Sequence, residues 1–384
     1  MKVYVDNSAT TRVSDSVMEV ITRAMQEDYG NPASLHNMVM IAENYIKRAR
    51  TQIAKTLCCE EKELIFTSCG TESDNMALFG IAEAYKRDGM HLITTKVEHA
   101  AVLSSMKRLE DMGYEVTYLD VDSNGRISLD DLRAAIRPDT ILVSIMYVNN
   151  EVGAVMPIKE AGKIIKEVNP KTLFHVDAIQ AYSKFDINPK RDGIDLLSVS
   201  GHKIHGPKGV AFLYVKDKTK IKPIIFGGGH QNGLRSGTEN VPGVAGMGQA
   251  CENAYKDLDK TREYLYGLRD YLIEGLERIE GVSINGDKSH DNAPHIISVS
   301  VPGVRAEVLL HTLEEKGIYV SAGSACSSNK PQVSATLKAM GLPKDRLEST
   351  VRISLTDTNT KDEMDYILAT LNEVVPTLRK FVRK

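Results

Sequence analysis

Residues 63–89 read ELIFTSCGTESDNMALFGIAEAYKRDG, and this stretch decides the fold. It opens with a short apolar run of strand length, turns at Cys69–Gly70, and continues in a helical pattern to a closing glycine. The same unit recurs downstream. HLITTKV (91–97) reads as a strand, AAVLSSMKRLEDMG (100–113) as a helix and YEVTYLDV (114–121) as a strand. ILVSIMYV, TLFHVD, DLLSVS and GVAFLYV add further apolar or β-branched runs. Strands alternating with helices predict an α/β protein, with a mostly parallel central sheet between helices. After about residue 255 the pattern changes. One long charged helix is expected from about Asn253 to Ile279, then an alternating strand HIISVSV, a helix from Ala306 to Lys316 and a closing helix from Thr360 to Lys380. The expected division is a large domain over 15–255 and a smaller α+β domain formed by 1–14 and 256–384.

Ligands of open parallel sheets sit beyond the carboxyl ends of the strands. Four strand ends are polar here. In FTSCGTESDN, Gly70 permits close backbone approach, and a helix start at Thr71, with Asp74 three residues on in a capping-box arrangement, suits a phosphate. A plain helix cap is the alternative. In FHVDAIQ, Asp177 ends an apolar strand and requires a cationic partner: a protonated pyridine nitrogen, or an ordinary Arg or Lys. In SVSGHKIHGPKG, Lys203 follows a strand beside Ser200 and His202, and is either an imine-forming amine or a surface lysine. In YVNNEVG, Asn149 and Asn150 present amide donors. Phosphate anchorage, a buried carboxylate and a lysine at successive strand ends are together what pyridoxal 5'-phosphate (PLP) requires.

These stretches, with YVDNSATT, GNPAS, EHAAVL, HVDAIQA, GGGHQNGLRSGTEN, SAGSACSS and VRISL, closely resemble the cysteine desulfurases of the class-V aminotransferase group across nearly the whole chain. The resemblance implies the fold-type-I PLP architecture and a set of roles. Lys203 is then the Schiff-base lysine and the base for the α proton. Asp177 holds the pyridinium, His99 stacks on the ring, and Gln180 bonds its phenolic oxygen. Gly70, Thr71, Ser200 and His202 bind the phosphate. Thr238 reaches the phosphate of a partner subunit, which implies a homodimer. Asn150 and Arg352 hold the substrate carboxylate, a task that suits the planar guanidinium fork. Cys326 is the nucleophile that takes sulfur from L-cysteine as a persulfide, leaving L-alanine. The sulfur then passes to an acceptor, such as an iron–sulfur scaffold or a tRNA-thiolation enzyme. A selenocysteine lyase, or another PLP lyase or transferase of the same fold, is the nearest rival. A non-catalytic sulfur-relay subunit is a more distant one.

Composition bounds the rest. Forty-eight Lys and Arg against 51 Asp and Glu leave a net charge of −3, which gives no electrostatic case for nucleic acid or an anionic membrane. Five cysteines without metal-ligand spacing argue against a disulfide framework and point to a cytoplasmic protein. The first residues are too short an apolar stretch for a signal segment, and no membrane span is expected. Cys69 and Cys251 read as packing residues. DVDSNGRISLDD imitates a calcium loop, but a strand precedes it, and the expected form is a turn followed by a helix capped by Ser128.

Overall fold

The computed structural model describes residues 1–34, 38–322 and 333–380. After the short strand β1 (Val3–Tyr4), seven strands build the main sheet: β2 (Leu64–Thr67), β3 (His91–Thr95), β4 (Glu115–Leu119), β5 (Thr140–Ser144), β6 (Leu173–Asp177), β7 (Leu196–Ser200) and β8 (Ala211–Val215). Their order is β2-β8-β7-β6-β5-β3-β4, and β8 alone runs against its neighbours. Helices α1 (Asp15–Gln26), α2 (Met38–Leu57), α3 (Gly70–Tyr85), α4 (Ala100–Asp111), α5 (Leu129–Ala135), α6 (Ile158–Val168) and α7 (Val241–Lys256) surround it. The α/β architecture with a mostly parallel sheet is the one read from the sequence.

Helices lie on both faces of this sheet, and β2, β6, β7 and β8 open on buried apolar residues. Side chains alternate between the faces. Phe174 and Val176 of β6, with Leu197 and Val199 of β7, pack in the core shared with Ile53 of α2 and Met247 of α7. Leu173 and Leu196 face the opposite way, into the core shared with Leu78 and Ile81 of α3 and Met106 of α4. On that second face the pattern turns polar toward the strand ends. Ser144 pairs in register with His175, and Asp177 with Ser198. Alternation therefore puts Ser144, His175, Asp177, Ser198 and Ser200 under the start of α3.

The remaining chain forms a second, antiparallel sheet in the order β12-β13-β10-β9. Its strands are β9 (Ser283–Asn285), β10 (Ile296–Ser300), β12 (Ser321–Ala322) and β13 (Thr350–Ser354), while β11 (Ile318–Tyr319) pairs with β1. Helices α8 (Leu258–Glu277), α9 (Ala306–Glu315), α10 (Ala335–Ala339), α11 (Lys344–Leu347) and α12 (Lys361–Lys380) complete it. Val3 and Val5 join Leu272, Leu309, Ile353 and Ile367 in its core.

The single long helix expected over 253–279 is two helices, α7 and α8, broken at Asp257, whose φ of −132° is not helical. Val244, Met247 and Cys251 of α7 pack in the core of the large sheet, whereas Leu265, Leu268 and Leu272 of α8 pack in the second core. One straight helix cannot face both. No helix among the described residues is long and apolar enough to cross a membrane.

Candidate active site

A cavity of about 500 Å³ lies at the carboxyl ends of the parallel strands. Ten residues singled out from the sequence line it: Gly70, Thr71, His99, Asn150, Asp177, Gln180, Ser200, His202, Lys203 and Arg352. A larger cavity of about 960 Å³ is lined by Lys184, His205 and Asp357 among others, but by none of these ten.

Lys203 ends a 3-10 turn, Gly201–Lys203, that follows β7 directly. The turn is tight because Gly201 has no side chain. A Cβ there would stand 2.9 Å from Met247 Sδ and 3.0 Å from the Pro207 carbonyl. Lys203 Nζ donates to the Ser8 carbonyl and, at 2.7 Å, to that of Ala9, so the N-terminal strand end holds the amine over the cavity. Asp177 closes β6 and is buried. Its Oδ1 accepts the Ile179 N–H at 2.9 Å. Burial raises its pKa, while that hydrogen bond, His99 and Lys203 act to lower it.

The Cys69–Gly70 turn differs in one respect from the sequence reading. Helix α3 begins at Gly70 with Cys69 as its N-cap, no side chain caps it, and Asp74 is fully buried rather than part of a capping box. Gly70 is required for another reason. A Cβ would lie 2.2 Å from Ile179 Cδ1, so any larger residue would have to push aside that side chain in the loop after β6. Ser200 Oγ is buried with no hydrogen-bond partner, and His202 is pushed down to about 4 by burial and by Lys203 and Lys208, which leaves its imidazole neutral. Arg235 grips Glu72 in the first turn of α3, Nε to Oε1 at 2.7 Å and Nη2 to Oε2 at 3.3 Å. Thus the glycine-rich 227–240 loop is tied to the Cys69–Gly70 turn.

Arg352, from the middle of β13, is buried and enters the cavity from the second sheet. Its Nη2 bonds Asp6 Oδ1 at 2.9 Å and its Nη1 the Asn150 carbonyl at 2.8 Å, while Nε is buried and unpaired. Asn149 serves structure instead, donating to the Val97 carbonyl at 2.9 Å. Gln180 donates to the Ser8 carbonyl at 3.0 Å, with Oε1 3.4 Å from buried His295. His99 caps α4, its Nδ1 accepting the Ala101 N–H at 3.2 Å.

One residue read from the sequence is not brought to this cavity. Thr238 is exposed and does not line it. Cys326 lies outside the described residues, although Ala322 and Val333, at either edge of that gap, both line the cavity. Cys69, expected to be a packing residue, is exposed at the cavity wall, whereas Cys251 is buried as expected. The calcium-like stretch is a turn in which Asp122 Oδ1 accepts the Asn124 and Arg126 N–H groups at 2.9 Å, and Ser128 caps α5. Sequence reading missed Glu98, Asp74 and His175 as a buried polar set. The i, i+2 spacing of His175 and Asp177 on one strand face was the available signal.

A parallel sheet with a buried carboxylate, a lysine and a glycine-started helix at its carboxyl edge defines a class of enzyme fold, and comparison places the chain within it. The sequence matches the class-V aminotransferase family over residues 3–367, and the chain belongs to that family. Within it, the relatives are cysteine desulfurases. The cysteine desulfurase IscS of Methanosarcina thermophila is 45% identical over 377 residues, covering 98% of this chain and 93% of that protein. A solved NifS-like protein superposes with a TM-score of 0.93 at 40% identity, covering 98% of this chain and all of that one. SspA, solved in complex with cysteine, gives a TM-score of 0.81 at 35% identity over 94% of this chain and all of its own.

Proposed function

We propose that this protein is a PLP-dependent cysteine desulfurase, which moves the sulfur of L-cysteine onto Cys326 and releases L-alanine. The observation that carries this reading is the meeting of Asp177, Lys203, the Gly70 helix start and Arg352 around one cavity. The residues suit the cofactor. Ser200 Oγ is a buried hydroxyl in want of a partner, Asp177 is a buried carboxylate at a strand end, and the N-terminus of α3 beside the cavity has no side-chain cap, which suits an anion. When bound, PLP supplies an electron sink for the α-carbon of the substrate.

The chain's own residues do the rest. Lys203 anchors the cofactor and moves the α proton at Nζ, with the Ser8 and Ala9 carbonyls orienting the amine. Asp177 keeps a proton on the ring nitrogen. The free N–H groups at the start of α3, with Ser200 and His202, bind the phosphate. Gln180 would hold the phenolic oxygen and His99 would lie against the ring. Arg352 and Asn150 receive the substrate carboxylate, which displaces Asp6 from one arm of the fork. Cys326 attacks the substrate sulfur. The carbon–sulfur bond breaks as the sulfur–sulfur bond forms, so cysteine plus thiol gives alanine plus persulfide with no external oxidant or reductant.

A homodimer, with Thr238 of each subunit serving the partner's phosphate site, fits the exposure of that residue. The acceptor is a second protein, an iron–sulfur scaffold or a tRNA-thiolation enzyme. The exposed free thiols Cys58 and Cys69 suit the reducing cytoplasm. The test is alanine and sulfide, quantified together from L-cysteine with PLP and a reductant present. Equal, catalytic amounts are expected. A PLP-loaded protein that yields no alanine from cysteine but yields it from selenocysteine overturns the substrate assignment.

A further inference from the structure

Three buried carboxyls lie at the cavity, Asp177 and Glu98 in its lining and Asp74 behind it, and the proposed reaction uses one of them. Asp177 is 5% exposed, Glu98 5% and Asp74 not at all. They come from separate places: the end of β6, the loop before α4 and the second turn of α3. Three carboxylates so close cannot all be ionised out of water.

Their partners decide which one is. Asp177 accepts the Ile179 N–H and faces the charges of His99 and Lys203. Neither oxygen of Asp74 has a well-formed hydrogen bond, and its nearest basic atom is His175 Nε2 at 3.6 Å. That imidazole cannot neutralise it. Both ring nitrogens lie against hydroxyls, Nδ1 at 2.8 Å from Ser144 and Nε2 at 3.0 Å from Ser198, and burial pushes its pKa to about 3. Glu98 directs Oε1 at the Thr95 hydroxyl and the Met146 N–H, each at 2.9 Å, and its Oε2 is buried without a partner. A buried carboxyl oxygen without a partner costs far less as part of a neutral acid than as part of an anion.

We propose that Asp74 and Glu98 are positioning residues, neutral acids that reserve the single negative charge of this layer for Asp177. The inference rests on the cofactor reading only in placing the ring nitrogen above Asp177. A second anion in the layer competes for the ring proton and repels the first. Two neutral acids leave the carboxylate pointing at the ring as the one charge the ring meets. The Asp74 hydroxyl then donates toward the His175–Ser198 side of the layer, which is tied to Asp177 through strand register. The titratable groups facing the layer are Cys69 and Asp74 from α3, Glu98 and His99 from the loop before α4, His175 and Asp177 from β6, and Lys203 from the turn after β7.

The first measurement uses the apoprotein. Difference infrared spectra of wild type, Asp74→Asn and Glu98→Gln at neutral pH read protonated carboxyl groups directly. One protonated-carboxyl band is expected to vanish in each variant. The second uses holoenzyme loaded with PLP. Both variants are expected to bind PLP within about threefold of wild type at pH 7. The wild-type cofactor absorbance should change as Glu98 ionises near its raised pKa of about 8, and Glu98→Gln should abolish that change. A wild-type spectrum without protonated-carboxyl bands overturns the proposal even where a variant fails to fold. So does a tenfold loss of PLP affinity in Asp74→Asn, since the charge would then be needed there. Failure of wild type to bind PLP sinks the cofactor reading and leaves the infrared result intact.

Discussion

Lys203, Asp177 and Cys326 divide the proposed chemistry so that each can be removed alone. Lys203→Ala deletes the amine that the Ser8 and Ala9 carbonyls hold over the cavity. The expected result is a protein that binds PLP reversibly and is not fixed to it by borohydride, with turnover down at least a thousandfold. Cys326→Ala leaves the cavity residues in place. Its PLP absorbance is expected to match wild type while persulfide, read by thiol-reactive mass labelling, is absent. A persulfide on that variant reassigns the nucleophile, and Cys69, exposed at the cavity wall, is the first place to look. Asp177 and Lys203 were legible in sequence because each stands at or just past the end of an apolar run, whereas Arg352 and the role of Ser200 were reached only through the family resemblance. Asp74 and Glu98 were not legible. A carboxyl in a helical or loop stretch looks solvated until the fold shows what covers it, and Asp74 three residues after Thr71 reads as a cap when it is in fact under the sheet's polar edge.

At the level of the element, the start of α3 is the most demanding local structure. Its Gly70 is packed so closely on Ile179 that one added methyl must displace that side chain, in the loop that also carries Gln180. Gly70→Ala is therefore expected to cost about 1–3 kcal/mol of stability and to weaken PLP binding by at least tenfold, measured by fluorescence titration of the apoprotein. Unchanged affinity means the loop yields freely and the phosphate is held elsewhere. Elements of this kind were readable as strand, turn and helix because periodicity changes from two to 3.6 at Cys69–Gly70. The break at Asp257 was not readable, since α7 and α8 are both helical in pattern on either side of it. Only the two cores, which face different ways, require the chain to turn.

At the scale of the whole molecule, buried titratable groups make stability depend on pH. Glu98 is raised by burial from its ordinary value of 4.5 to about 8, with hydrogen bonds from Met146 and Thr95 opposing the rise. Its folded-state pKa thus lies above its unfolded one, so between about pH 4.5 and 8 the folded chain holds a proton that the unfolded chain has lost. Stability contributed by that proton is fully present below pH 4.5 and is lost as pH rises toward 8, with a slope of ~1.4 kcal/mol per pH unit for one proton. Lys184 acts in the opposite sense at higher pH. Burial lowers it to about 8, so from there to about 10.5 the unfolded chain holds the extra proton and stability recovers. Urea unfolding of the apoprotein, with each variant read as a difference from wild type, is therefore expected to show the Glu98 contribution falling from about pH 4.5 to 8 and the Lys184 contribution rising from about pH 8 to 10.5. Glu98→Gln should remove the fall on the acid side and leave the alkaline recovery, because glutamine cannot ionise and fills the same space. Lys184→Met should do the reverse. A Glu98→Gln profile parallel to wild type between pH 5 and 8 means that Glu98 is already ionised in the native fold, and the single-charge layer at the cavity is then wrong.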